Sequence, residues 1–323
     1  MPASRLHTSS RLVPSALALL AVVAPAAHAQ RPAPVSSKTL EVREVRAPDT
    51  TLMRRVGSSE LVSELRVPSG PGPHPLAVVI HGGCWLTKFA DTRYMRPMAE
   101  ALRDAGIATW TIAYRRADEA GGGWPGTFQD VAASTAQVRT LARRYALDLD
   151  HVVATGHSAG AHLALWLAAQ PKLPAESGVR ATADVLPIRA VVALDGPGDL
   201  AAANVGVTPI CGSNVLEQLL GSTPQEQPER WSWASPSSWL PLGVPQVMVR
   251  GGLDAQLPRL GAKAGDMTTY AARARQAGDN TWVVNADTTS HFKMLDPKDP
   301  AFTELKKAML DAFATIGRPV ERK

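Results

Sequence analysis

The sequence predicts an α/β fold, a mainly parallel central sheet with helices on both faces. Two patterns predict it. Short apolar, β-branched runs recur along most of the chain, and helix-length segments with apolar residues near every third and fourth position separate them. A third observation limits the count of domains: no internal repeat, low-complexity segment or shift in composition marks a second one. With 323 residues, 45% of them hydrophobic and 20% charged, the chain can bury one large continuous core.

The N-terminal segment stands apart. "MPASRLHTSSRLVPSALALLAVVAPAAHAQ" carries Arg5 and Arg11 with no acidic residue, then an apolar stretch from Leu12 to Pro25, then Ala27 and Ala29 at cleavage-site spacing. This is the pattern of a secretory signal peptide over 1–29, cut near Ala29, and it implies a periplasmic or secreted mature protein. The apolar run is short for a membrane span, so an uncleaved anchor is the lesser alternative. Residues 30–39 read as a proline-rich linker, 40–318 as the folded domain and 319–323 as a tail. Loss of Arg5 and Arg11 lowers the formal charge from +5 to +3. With no basic run alongside, nucleic-acid binding is disfavoured, and so is stable membrane association once the signal is removed.

Strands are expected at 40–45 (LEVREV), 61–68, 76–81, 108–114, 151–156, 190–195, 246–250 and 281–285. Helices are expected at 93–105, 127–145, 158–169, 266–277 and 301–316. The first two strands have no helix between them and should pair antiparallel at one edge. Residues 196–243 read as a loop-rich segment over the active-site end of the sheet, with Trp231, Trp233 and Trp239 in it.

Chemistry concentrates at the junction of the 151–156 strand with the following helix. Gly156-His157-Ser158-Ala159-Gly160 sits where a buried strand turns sharply into a helix. Such a turn strains the serine backbone and leaves room only for glycine on either side. It also lifts the hydroxyl to a helix N-terminus, where the dipole favours developing negative charge. Serine needs a base to become a nucleophile. Of the eight histidines, His291 in "TTSHFKMLDP" lies on a loop after the last strand, able to reach the carboxyl ends of the sheet. The third partner, an acid, is assigned to Asp254 in "VRGGLDAQLP", which gives the order Ser158, Asp254, His291. Asp195, Asp199 and Asp287 are its rivals. "HGGCW" at 81–85 offers backbone N–H groups to an oxyanion, assigned to Gly83 and Cys84 together with Ala159. His81 reads as a brace for that loop.

These motifs, "HGGCW", "GGGWPGTFQDV", "GHSAGAHLALW", "GGLDAQLP" and "SHFKMLDP", resemble in order the α/β-hydrolase superfamily, and within it the HGGxW esterase and kynurenine-formamidase-like group. The likeness runs from about residue 40 to 316. It implies the α/β-hydrolase fold and hydrolysis of a small carboxylic ester by Ser-His-Asp acyl transfer to water, with no cofactor or metal. An aryl formamide or amide is the alternative substrate. Arg250 stands where the group usually has histidine, and export fits poorly with kynurenine metabolism; both lower the formamidase reading. A hydrolase fold kept only for binding is the remaining alternative, disfavoured because every triad member is present. Trp85 and Trp124 are candidates to line the substrate pocket, with packing as the competing role. The two cysteines, Cys84 and Cys211, lie outside any CxxC or zinc-ligand pattern. An oxidising compartment allows a disulfide between them; two buried thiols are the other option.

Overall fold

The computed structural model describes Met1 and residues 36–180, 185–212, 214–251, 267–286 and 289–316, without the side chains of 205–209. The rest of the expected signal segment, Asp254 and Asp287 lie outside the described residues. Residues 34–323 form one compact unit.

Eight strands make a single sheet among the described residues: β1 (Thr50–Val56), β2 (Ser59–Arg66), β3 (His74–Ile80), β4 (Ala108–Ile112), β5 (Leu147–His157), β6 (Ala190–Leu194), β7 (Gln246–Arg250) and β8 (Thr281–Asn285). Their order is β1-β2-β4-β3-β5-β6-β7-β8. β1 and β2 are antiparallel, as are β2 and β4; every other pair is parallel. The helices are α1 (Ser37–Glu41), α2 (Arg96–Asp104), α3 (Gly126–Ala136), α4 (Arg139–Ala142), α5 (Ala159–Ala169), α6 (Leu200–Cys211), α7 (Val215–Leu220), α8 (Pro228–Ala234), α9 (Met267–Gln276) and α10 (Ala301–Thr315).

The strands read as continuous apolar runs because both faces are covered. Along β3, Leu76, Val78 and Ile80 join a core with α3 and α5, while Ala77 and Val79 join a second core with α2 and α10. β5 and β6 divide the same way: Val152, Ala154, Val191 and Ala193 face one side, and Val153, Val192 and Leu194 the other. Alternation along a strand sends successive side chains to opposite layers, so each central residue is buried whichever way it points. Every residue of α5 is buried. A helix apolar all round needs such enclosure, and this one carries the serine turn at its N-terminus.

Three expectations change. Residues 40–45 are not a strand. Ser36 caps a one-turn helix, its hydroxyl accepting from the Thr39 N–H while Thr39 answers at the Ser36 N–H, so Leu40 is buried and Val42 is left outside. This reciprocal cap outweighs the period-2 pattern, and the folded region begins before residue 40. The edge hairpin exists, but its first strand is β1, whose residues alternate only between half-buried and exposed and so gave a weak signal. The expected 127–145 helix is two, α3 and α4. The segment 196–243 is built of α6, α7 and α8 rather than loop. Its Cys211 is bonded to Cys84 with Cα atoms 5.6 Å apart, which fastens the segment to the loop after β3.

Candidate active site

Four strand ends meet at the site. Ile80 of β3 pairs with Gly156 of β5, and His157 pairs with Leu194 of β6, so the loops after β3, β5 and β6 start side by side. Val249 of β7 sits beside both Leu194 and Val284 of β8, which brings the loop after β8 to the same end.

Ser158 is the corner between β5 and α5, with φ 57° and ψ −119°. That is a conformation a residue with a Cβ rarely adopts, and strained backbone of this kind gathers at functional sites. The flanking glycines are required by close approach. A Cβ on Gly156 would lie 2.2 Å from the Gly160 carbonyl oxygen, and one on Gly160 would lie 2.1 Å from the Ile80 carbonyl oxygen. The Ser158 N–H donates to the Leu194 carbonyl at 2.8 Å, which ties the corner to the end of β6.

The loop after β3 is pressed against that corner. A Cβ on Gly82 would meet the His157 carbonyl oxygen at 2.4 Å. Gly83, Cys84 and Trp85 then run through three successive left-handed residues, φ 103°, 53° and 56°. The Gly82 N–H is spent on the Tyr94 hydroxyl at 2.6 Å. Among the described residues the Gly83 and Cys84 N–H groups donate to no acceptor. Ala159 is the first residue of α5, where an N–H has no partner inside the helix. The three expected oxyanion donors therefore stand on two abutting turns. His81 stacks on Tyr114, ring centroids 4.3 Å apart, and its Nδ1–H donates to the Gly82 carbonyl. Burial pushes its pKa down to about 4, so it stays neutral while it braces the loop.

His291 is half-buried, and its Nδ1–H donates to Asp195 Oδ2 at 2.7 Å. Asp195 is the residue after β6, at φ 48° and 1% exposed, and its Oδ1 accepts from the Gly251 N–H at 3.1 Å. Its turn packs on the serine corner: a Cβ on Gly196 would lie 2.0 Å from the Ser158 carbonyl oxygen. Here the geometry departs from expectation. The imidazole nitrogen that Asp254 was to hold is bonded to Asp195, the rival one strand nearer Ser158. Register explains the reach: Leu194 lies beside His157, so Asp195 leaves the sheet level with Ser158, and the base loop folds back over it. The clue in the sequence is "LDGPG", an acid at a strand end followed at once by the glycine that close packing demands. Of the other rival, Asp199, the carboxylate is taken by Ser237 and Arg273.

The tryptophans divide. Trp85 is enclosed at 1% exposure with its ring edge-on to His162, a packed position rather than an open pocket wall. Trp124 is partly buried between Phe128 and Trp233, which extends the aromatic cluster from α3 to α8. Among the described residues no group of three or more His, Cys, Asp or Glu is arranged to hold a metal ion, and no helix is long and apolar enough to cross a membrane.

Residues 65–263, more than half of the chain, match the BD-FAE family. The structure is similar to esterase B from Lactobacillus Rhamnosis (TM-score 0.65, 19% identity, 86% of this chain and 90% of that one). It is similar to Thermogutta terrifontis esterase 2 in its apo form (0.64, 18%, 85% and 96%), and to a truncated carbohydrate esterase from gut microbiota (0.63, 19%, 83% and 100%). A bifunctional GH43-CE protein from Bacteroides eggerthii also matches (0.59, 20%, 79% of this chain), but the chain spans only 35% of its length. At these identities the likeness is one of fold. Comparison with curated proteins finds no match.

Proposed function

The chain belongs to the BD-FAE family and has the α/β-hydrolase fold; from that premise we propose that it is a serine carboxylesterase cleaving a small carboxylic ester. The observation that carries the reading is the His291–Asp195 pair on the turn that packs against strained Ser158. His291 Nε2 takes the Ser158 proton as Oγ attacks the ester carbonyl carbon. The N–H groups of Gly83, Cys84 and Ala159 receive the negative charge that gathers on the carbonyl oxygen. Asp195 holds the Nδ1–H tautomer and stabilises the imidazolium, then His291 returns the proton to the leaving alcohol. Water, deprotonated by the same imidazole, attacks the acyl-enzyme and frees Ser158. That esterases share this fold supports ester over formamide as the substrate.

Export belongs to the same proposal. The signal-like N-terminus would carry the chain to an oxidising compartment, where the Cys84–Cys211 bond persists. Labelling with a fluorophosphonate, with mapping of the modified peptide to Ser158, tests the nucleophile. A panel of p-nitrophenyl esters from acetate to decanoate beside an aryl formamide tests the substrate class. No label on Ser158, or turnover of the formamide alone, would overturn the reading.

A further inference from the structure

The residue before the nucleophile touches two other loops of the site. His157 is fully buried; its Nε2 lies 2.8 Å from the His291 carbonyl oxygen and its Nδ1 lies 3.1 Å from the Tyr94 hydroxyl. The same hydroxyl accepts the Gly82 N–H at 2.6 Å. We propose that His157 is a positioning residue, which joins the nucleophile turn to the base loop through its Nε2–H and, by way of Tyr94, to the oxyanion loop through its Nδ1.

The donors and acceptors close in one way only. A carbonyl oxygen only accepts, so the hydrogen of His157 lies on Nε2 and points at His291. In the neutral ring Nδ1 is then a bare acceptor, and the Tyr94 proton must point at it. That leaves the tyrosine lone pairs to accept from Gly82. Protonating His157 would put two donors face to face at Tyr94. Burial first, and the neighbouring His291 next, hold the ring neutral by pushing its pKa well below the ordinary value, against an opposing pull from Asp195. Burial likewise raises the Tyr94 pKa, so its proton stays in place. Packing supports the same parts: the His157 ring is 4.2 Å from the His291 ring and 5.3 Å from Phe292, and Tyr94 meets Phe292 edge-on.

Geometry gives the arrangement its use. Gly83 and Cys84 must hold their N–H groups where an oxyanion forms, and His291 must sit above Ser158. Neither loop is regular structure, so each needs an anchor near its working residue. The Gly82 N–H and the His291 carbonyl are those anchors, one residue from the oxyanion donors and on the base itself. Misplacing reacting groups by about 1 Å can cost on the order of a hundredfold in turnover.

The kinetic test rests on the esterase reading, and ring NMR of the intact protein does not. In 15N spectra of the histidine rings, His157 should show a protonated Nε2 and an unprotonated Nδ1, unchanged from about pH 8 to about pH 5 while solvent-accessible histidines titrate. With the best p-nitrophenyl ester, His157→Leu should lower kcat by roughly 30- to 100-fold and change KM by less than about threefold. His157→Gln, which can still donate to the His291 carbonyl, should recover most of that loss. Tyr94→Phe, which keeps the ring and removes one oxygen, should lower kcat about tenfold; it carries the kinetic test if His157→Leu fails to fold. The proposal is overturned if His157 titrates near the ordinary histidine value. It is equally overturned if a folded His157→Leu keeps kcat within about threefold, or if both Tyr94→Phe and His157→Gln behave as if the network were absent. A parent protein that cleaves no ester but shows the stated ring state removes the esterase reading and supports the network. An active parent indifferent to both positions removes the network alone.

Discussion

The corner after β5 and the corner after β6 are neighbours built to the same plan, yet they announce themselves differently. Each ends a buried parallel strand in a residue with positive φ, Ser158 at 57° and Asp195 at 48°, and each is followed by backbone packed too closely for a side chain. The serine corner is bracketed by Gly156 and Gly160, so its steric demand is written on both sides within five residues. The aspartate corner has a glycine on one side only, and its meaning depends on a histidine 96 positions further along. A strained serine turn is a local steric fact. A hydrogen bond between two loops is a fact about which strand ends lie side by side.

Mutations can break or sharpen this contrast. The largest effect is expected at the serine corner: Ser158→Ala should remain folded and lose ester hydrolysis by about 10⁵–10⁶, since no other group can form the acyl-enzyme. Stopped assays on folded protein with a melting curve like the parent's check it, and a variant within tenfold of the parent sinks the assignment.

The aspartate corner should come next. Asp195→Asn should cost between about 10² and 10⁴ in kcat through loss of the Nδ1–H tautomer; the upper figure is that of the protease triad used to define the effect. Asp254→Asn should stay within about tenfold. The reverse ranking would return the acid to the loop after β7 and make the His291–Asp195 bond structural.

The disulfide extends the comparison to the oxyanion loop. Cys84 and Cys211 are 127 residues apart, so in the chain-entropy picture the double alanine variant should be less stable by about 4–5 kcal/mol. Chemical denaturation checks the loss. Fully alkylated thiols in unreduced, exported protein would show that the bond does not form.

The least local effect concerns acid. His81 and His162 are buried and neutral, each with its pKa pushed down to about 4 by desolvation. Their unfolded forms take up protons below the ordinary value of 6.5, so the stabilisation they confer is full above that pH and is lost as pH falls toward 4. Each contributes up to roughly 3 kcal/mol across that window. Glu64, Asp91, Glu119 and Asp199, held below their usual values although burial opposes it, add their losses at lower pH still. A melting temperature flat from about pH 7 to pH 4 would contradict this assignment.

The sheet was legible because its central strands carry their burial in composition: a doubly covered stretch must be apolar, and residues 76–80 of β3, residues 152–154 of β5 and all of β6 are. β1 escaped notice because an edge strand has one face in water, and 40–45 misled because a serine cap beat an alternating pattern. The serine turn at Ser158, the glycine loop of Gly83 and Cys84 abutting it and the candidate base loop of His291 could be located from glycine spacing and chain order. His157 and Tyr94 could not, since a histidine in a serine turn and a tyrosine before α2 show no sign of each other until folding sets them 3.1 Å apart.

The sequence by itself determined the α/β architecture, the strained serine corner and the glycine loop facing it. Those depend on burial and steric clash between residues close in the chain. Only the tertiary structure decided which carboxylate reaches His291, that Cys84 and Cys211 meet, and that Trp85 packs inside. These are choices among several chemically adequate partners, and strand order and register made them by placing the ends of β5 and β6 together and folding the loop after β8 back over Asp195.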